Sequence, residues 1–261
     1  RFGEAESLAN SLVQSFPRHP FGWKVLGVLL GQKGDKSGAL VANQKAVETS
    51  NQDAEAHCNL GVSFEELGRF KEAEVSFRKA IALGPDYAQA QSNLGTLLQK
   101  IGRLNEAKLE LKKAISLRSS DAYTHNNLGT VLQEMGQVEE AKESYLKAIE
   151  LKPEYAEAHY NYGLSLKELG RLTEAEASFR KATALKPDFA KSHNNLGTLL
   201  HDLGKLEEAE ASFRKAIESM PEYTEAHYNY GITLKELNRL KEAEASYKRA
   251  IALKQDFPKA H

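Results

Sequence analysis

Six histidines stand at one recurring position: His57, His125, His159, His193, His227 and His261. A row of imidazoles suggests a metal ladder. Equivalent positions in packed helical units lie about 10 Å apart, whereas zinc needs its nitrogens within about 2.1 Å. The spacing therefore predicts interface packing and no metal. Trp23, one interval before His57, fits the same reading as an interface ring. His19 and His201 lie off the row and have no visible partner in sequence.

A second row is asparagine: Asn59, Asn93, Asn127, Asn161, Asn195 and Asn229. A side-chain amide carries both a donor and an acceptor, so it can hold a peptide backbone without reading its side chains. With about 10 Å per unit and about 3.4 Å per extended residue, one asparagine would meet every third residue of a ligand. The alternative is that each amide bonds the neighbouring helix and only stiffens the array.

Beside this row Tyr160 and Tyr228 alternate with Asn126 and Asn194, and further along stand Lys167 and Lys235, against Gln99, Gln133 and His201. Glu55, Glu157, Glu225 and Lys191 fall on the same expected face. The tyrosines could stack on a ligand or bond it, or serve as wedges between helices. The expected peptide-binding set is thus the six ladder asparagines with Tyr160, Tyr228, Lys167, Lys235, Asn126 and Asn194.

Nothing in the sequence assembles a reaction. Cys58 is the single cysteine, with only His57 near it in sequence, and Gly31-Gln32-Lys33-Gly34 is too short for a phosphate loop. The expected protein is noncatalytic and needs no cofactor.

The elements that must position these rows are set by a period. Gly27, Gly61, Gly95, Gly129, Gly163, Gly197 and Gly231 are each 34 residues apart, the mark of a repeat array. The units read 20–53, 54–87, 88–121, 122–155, 156–189, 190–223 and 224–257, after a half unit over 1–19 and before the start of another over 258–261. In the unit 156–189 the spacing predicts helices over 156–169 and 173–185. Ala158, Tyr162, Leu166 and Leu169 form one apolar face of the first, and Ala175, Phe179, Ala182 and Leu185 that of the second. Gly170 lies between them, in a slot otherwise held by glycine and once by Asn238, which suits a left-handed helix cap. Pro187 stops the second helix, as Pro85, Pro153 and Pro221 do elsewhere. Gly197, Ala209 and Ala216 are small where two helices must approach closely. Glu176 with Arg180 and Glu210 with Arg214 read as i,i+4 pairs on a solvated face.

The pattern resembles the tetratricopeptide repeat over essentially the whole chain: Leu or Tyr then Gly in the first helix, Ala and an aromatic in the second, Pro between units. The first full unit departs most, with Asn43 where later units carry Phe, Leu or Tyr. The resemblance implies an all-α, right-handed superhelical solenoid whose first helices line a concave groove. The segments AHCNLG, YTHNNLG and KSHNNLG resemble the repeat arm of O-GlcNAc transferases, which grips extended protein substrates. That implies a protein or peptide ligand, and leaves open a substrate arm of a larger enzyme. The carboxylate clamp of chaperone-adaptor repeats is matched only by Lys24 and Asn59.

Composition agrees. Among 261 residues, 35 basic side chains face 36 acidic ones, for a net charge of −1, so no basic excess points to nucleic acid or an anionic membrane. No apolar run approaches the roughly 20 residues of a membrane span. A lone cysteine suits a reducing compartment, and a cytoplasmic location is expected. The chain starts at Arg1 on a half unit, which reads as a piece of a longer protein, and open ends would favour end-to-end self-association.

Overall fold

The computed structural model describes residues 2–255, which form α-helices joined by short turns, with no strand among the described residues. By internal contacts the chain divides into two compact units, Arg1–Met135 and Gly136–His261.

The first unit opens with α1 (Phe2–Ser15), which packs on α2 (Pro20–Lys33). Antiparallel pairs follow: α2 with α3 (Lys36–Thr49), α4 (Ala54–Glu66) with α5 (Phe70–Leu83), and α6 (Ala88–Lys100) with α7 (Leu104–Leu117). Helix α8 (Ala122–Glu134) packs on α7. The first helices α2, α4, α6 and α8 also touch one another in turn and so share a face.

The second unit opens with α9 (Val138–Leu151) against α10 (Ala156–Glu168). Helix α10 pairs with α11 (Leu172–Leu185), α12 (Ala190–Asp202) with α13 (Leu206–Ser219), and α14 (Thr224–Glu236) with α15 (Leu240–Gln255). Within it α12 and α14 touch directly. The expected start of a further repeat, 258–261, and with it His261, lies outside the described residues.

Four of the pairs close because a small residue lets an aromatic ring reach the facing backbone; at Gly95 the facing side chain is Leu111 and at Gly27 it is Asn43. Phe213 is fully buried against Gly197, where an added Cβ would come within 2.7 Å of the ring. Phe77 meets Gly61, Phe179 meets Gly163 and Tyr247 meets Gly231 in the same way. Ala209 and Ala216 are fully buried beside them. The turn inside each pair needs one left-handed residue. Gly170 adopts φ 74° and Asn238, its stand-in, φ 59°; asparagine tolerates this region better than other non-glycine residues.

The histidine row closes the turn between pairs. Nε2 lies 3.1 Å from the Asn51 carbonyl in His57, 3.0 Å from Ser119 in His125, 2.9 Å from Pro153 in His159, and 3.0 Å from Pro187 and Pro221 in His193 and His227. Trp23 donates Nε1–H to the Pro17 carbonyl at 2.9 Å. Every ring here thus satisfies the carbonyl six residues before it. Among the described residues no three of His, Cys, Asp and Glu gather as metal ligands. His19 instead caps α2, accepting from the Phe21 amide at 3.3 Å.

One expected ion pair is replaced. Arg180 meets Glu176 at 2.9 Å as the i,i+4 spacing predicts. Glu210 does not pair with Arg214: it turns to Arg239 of the next pair at 2.9 Å, and Arg214 lies 4.0 Å from Glu218. Lys205 reaches Glu176 in the equivalent way at 2.8 Å, and Arg103 reaches Glu74 at 2.7 Å. The reason is reach: a second helix faces the turn of the following pair, where a long cation can approach more directly than from its own helix.

Candidate functional site

The ladder asparagines sit one per first helix. In the first unit these are Asn59 on α4, Asn93 on α6 and Asn127 on α8; in the second they are Asn161 on α10, Asn195 on α12 and Asn229 on α14. All six are half-buried. They fall two residues before the glycine that faces the paired helix, which turns them away from the ring–glycine contact.

Most of their amides are held sideways by the preceding first helix. Asn93 donates from Nδ2 to Cys58 Sγ at 3.4 Å and accepts from Gln89 at 2.9 Å. Asn127 donates to the Thr96 hydroxyl at 3.1 Å. Asn195 donates to the Tyr160 hydroxyl at 3.1 Å and to the Lys191 carbonyl at 3.0 Å. Asn229 donates to Asn194 Oδ1 at 3.2 Å, and Asn161 is engaged as well. The bracing helix supplies its partner 31 or 35 residues earlier. For Asn59 those positions are Val28 and Lys24, which offer no acceptor, and its side chain has no partner among the described residues. In Asn127, Asn195 and Asn229 the lateral bond uses Nδ2 and leaves Oδ1 unbonded. In these three the amide plane is fixed and the carbonyl oxygen remains available.

The flanking residues separate into two groups. Asn194 is 1% exposed and Asn126 7%, so both expected groove residues are nearly buried. Asn194 donates to Glu225 at 3.4 Å while bracing Asn229. Asn194 thus bridges α12 and α14. Tyr160 packs against Phe189 at 4.9 Å and Phe179 at 6.0 Å, and burial raises its phenol pKa. It is a wedge that also braces Asn195. Tyr228 is 54% exposed and rests on Tyr247 at 5.9 Å. Lys167 lies 3.9 Å from Asp202 and Lys235 is exposed. Glu157 is tied to Lys186 at 2.9 Å, and that bond holds its carboxyl below the usual range. His201 Nε2 lies 3.2 Å from Glu236.

Cys58 does not fit a nucleophile. It is 2% exposed, and burial pushes its thiol up to about 11, whereas reactive thiols are exposed and low in pKa. The bracing groups Thr96 and Cys58 lay outside the expected set, whereas Tyr160 was in it as a ligand contact or a wedge. The signal that finds them is an acceptor 31 or 35 residues before each ladder asparagine.

Repeated antiparallel helix pairs, several of them closed by a ring on a glycine, define a helical-repeat protein. Tetratricopeptide-repeat profiles match residues 54–87, 88–121, 126–190 and 188–256, which together exceed half of the chain. The chain belongs to the tetratricopeptide-repeat family, whose fold is that of a protein-interaction scaffold. No curated protein matched the sequence.

Solved structures are similar in fold. A chain of the APC/C hetero-tetramer Cut9–Hcn1 aligns over 90% of this chain with TM-score 0.80 at 18% identity, and this chain covers 46% of its length. Pseudomonas aeruginosa pilF aligns over 79% of this chain and 93% of its own, with TM-score 0.71 and 24% identity. YrrB, described as a tetratricopeptide-repeat protein with an unusual peptide-binding site, aligns over 71% of this chain and 95% of its own, with TM-score 0.57 and 27% identity. Among the described residues no helix is long and apolar enough to cross a membrane.

Proposed function

We propose that this protein binds extended peptide segments of a partner along the face of its first helices, through the ladder asparagines. The observation that carries this reading is the sideways bracing of Asn127, Asn195 and Asn229, each with Oδ1 left unbonded. A braced amide loses little further freedom on binding, which lowers the entropic cost of capture. Its carbonyl oxygen accepts a backbone N–H, a group every peptide offers except at proline. The bracing and binding readings of the ladder are thus compatible, because one amide has two ends. The peptide-binding site described for YrrB gives the reading a precedent in this fold. Service as the substrate arm of a larger glycosyltransferase would use the same face and change only the ligand's fate.

The test uses peptides selected on the protein from an unconstrained displayed library, then synthesised. Each lost backbone hydrogen bond is worth about 1 kcal/mol. The double variant Asn195→Ala, Asn229→Ala should therefore bind at least about tenfold more weakly, with unchanged helical circular dichroism. Equal affinity of variant and parent would overturn the ladder as the binding element.

A further inference from the structure

The first full repeat breaks the ring–glycine rule. Asn43 of α3 occupies the place taken by Phe77, Phe179 and Phe213 in other repeats, and a Cβ on Gly27 would overlap its Oδ1. A carboxamide fills less space than a ring, and Gly31 stands where other first helices carry Glu65, Gln99, Gln133, Lys167, His201 or Lys235. The two changes leave a pocket of about 170 Å³ between α2 and α4, with Gly27, Gly31, Asn43, Asn59 and Glu66 in its walls. This far exceeds the roughly 10–15 Å³ that admits one water.

The walls include a carboxylate and two asparagine amides, beside Gln32 and Ser63. Asn43 is 3% exposed, donates Nδ2 to the Ser63 hydroxyl at 2.8 Å, and has a buried Oδ1 with no partner. A buried polar atom left unpaired is costly. Asn59, whose side chain has no lateral bond among the described residues, lines the same pocket. The Glu66 carboxylate at its edge joins no ion pair among the described residues; Lys36 donates to the Glu66 backbone carbonyl at 3.1 Å instead. The other nearby cation, Lys24, is committed to Asp53 at 2.9 Å and to Glu55.

We propose that this pocket takes the side chain of a lysine from a partner segment lying on the first-helix face. An ammonium has three donors and no acceptor, and the pocket offers it two acceptors on its walls, the Asn59 amide oxygen and the Glu66 carboxylate; Asn43 Oδ1 is covered by Gly27, so Asn43 contributes the space rather than a contact. The four-carbon stem would run along the apolar walls of Val28 and Val62, as lysine stems do on apolar surface. A compact point charge suits a narrow pocket better than the planar fork of arginine. The proposal extends the peptide-binding reading by naming a side chain that reading leaves open.

The probe is Nα-acetyl-lysine methylamide, titrated into the full chain while the side-chain amide NMR signals of Asn43 and Asn59 are followed. It has no extended backbone to engage the ladder, so this test and the library test fail independently. Saturable shifts are expected, with half-saturation at least fivefold lower than for the norleucine analogue, which lacks the ammonium. Asn43→Phe restores the ring carried by neighbouring repeats, and should abolish the response at Asn59. Glu66→Gln, an exposed change that keeps the fold, should weaken the response severalfold and decides the matter if Asn43→Phe does not fold. Equal response to norleucine, a response surviving in Asn43→Phe, or no saturable shift, as for a pocket that holds water only, would overturn the proposal.

Discussion

A carbonyl can only accept, so the ladder imidazoles must carry their proton on Nε2 to bond the residue six positions back. That fixes one neutral tautomer and leaves Nδ1 unprotonated. Burial, partly offset by the carbonyl, pulls the pKa of His159 and His193 below the ordinary 6.5. The unfolded chain then binds protons more readily than the folded one between the folded pKa and 6.5. Stability from these rings is fully present above 6.5 and is lost as pH falls through the folded value. The ring resonances of His159 and His193 should titrate below 6.5 in a proton NMR series. His193→Phe should remove part of the stability slope just below that pH. Titration of either ring at or above 6.5 would contradict the packing described.

At the scale of the helix pair, closure depends on the missing side chain at the ring–glycine contact. A methyl on Gly197 would meet three Phe213 ring carbons at 2.7–2.9 Å, and Phe213 is walled in by the core of α10, α12 and α13. Overpacking of this kind costs about 1–3 kcal/mol. Gly197→Ala should lower the urea midpoint accordingly, although alanine is the better helix former; a stabilised variant would show that the contact relaxes freely. The close approach at Gly197 was legible in the sequence because the glycine recurs at one interval, and so were the caps at Gly170 and Asn238, while the ring that meets the glycine was not. What each ladder asparagine bonds was not legible. It turns on the chemistry of a residue 31 or 35 positions earlier: Thr96 braces Asn127, while Val28 and Lys24 leave Asn59 free. The same distance effect carried Glu210 away from Arg214 to Arg239. Periodicity reports which face a residue occupies, and not which neighbour wins its hydrogen bond.

At the scale of the molecule, a repeat array is held by neighbour-to-neighbour contacts, and the polar part of those contacts recurs. Glu74 meets Arg103 in the first unit, and Glu176 meets Lys205 and Glu210 meets Arg239 in the second. The Lys205 bond, together with Arg180 and against the opposing effect of burial, holds the Glu176 carboxyl below its ordinary 4.5. Burial acts to raise Glu74, and the guanidiniums of Arg78 and Arg103 together outweigh it. Both carboxylates are therefore more acidic folded than unfolded. Their contribution is fully present above pH 4.5 and is lost as pH falls through the folded values. Because each tie joins successive helix pairs, protonation weakens the junctions rather than the ring–glycine contacts within pairs. Urea midpoints should hold steady between pH 5 and the histidine region and fall below about pH 4.5. Glu176→Gln and Glu74→Gln together should start from a lower midpoint and show a shallower acid limb, since they have fewer depressed carboxylates to protonate. An acid limb as steep in the double variant as in the parent would assign acid sensitivity to other carboxylates and strip these ties of their role between repeats.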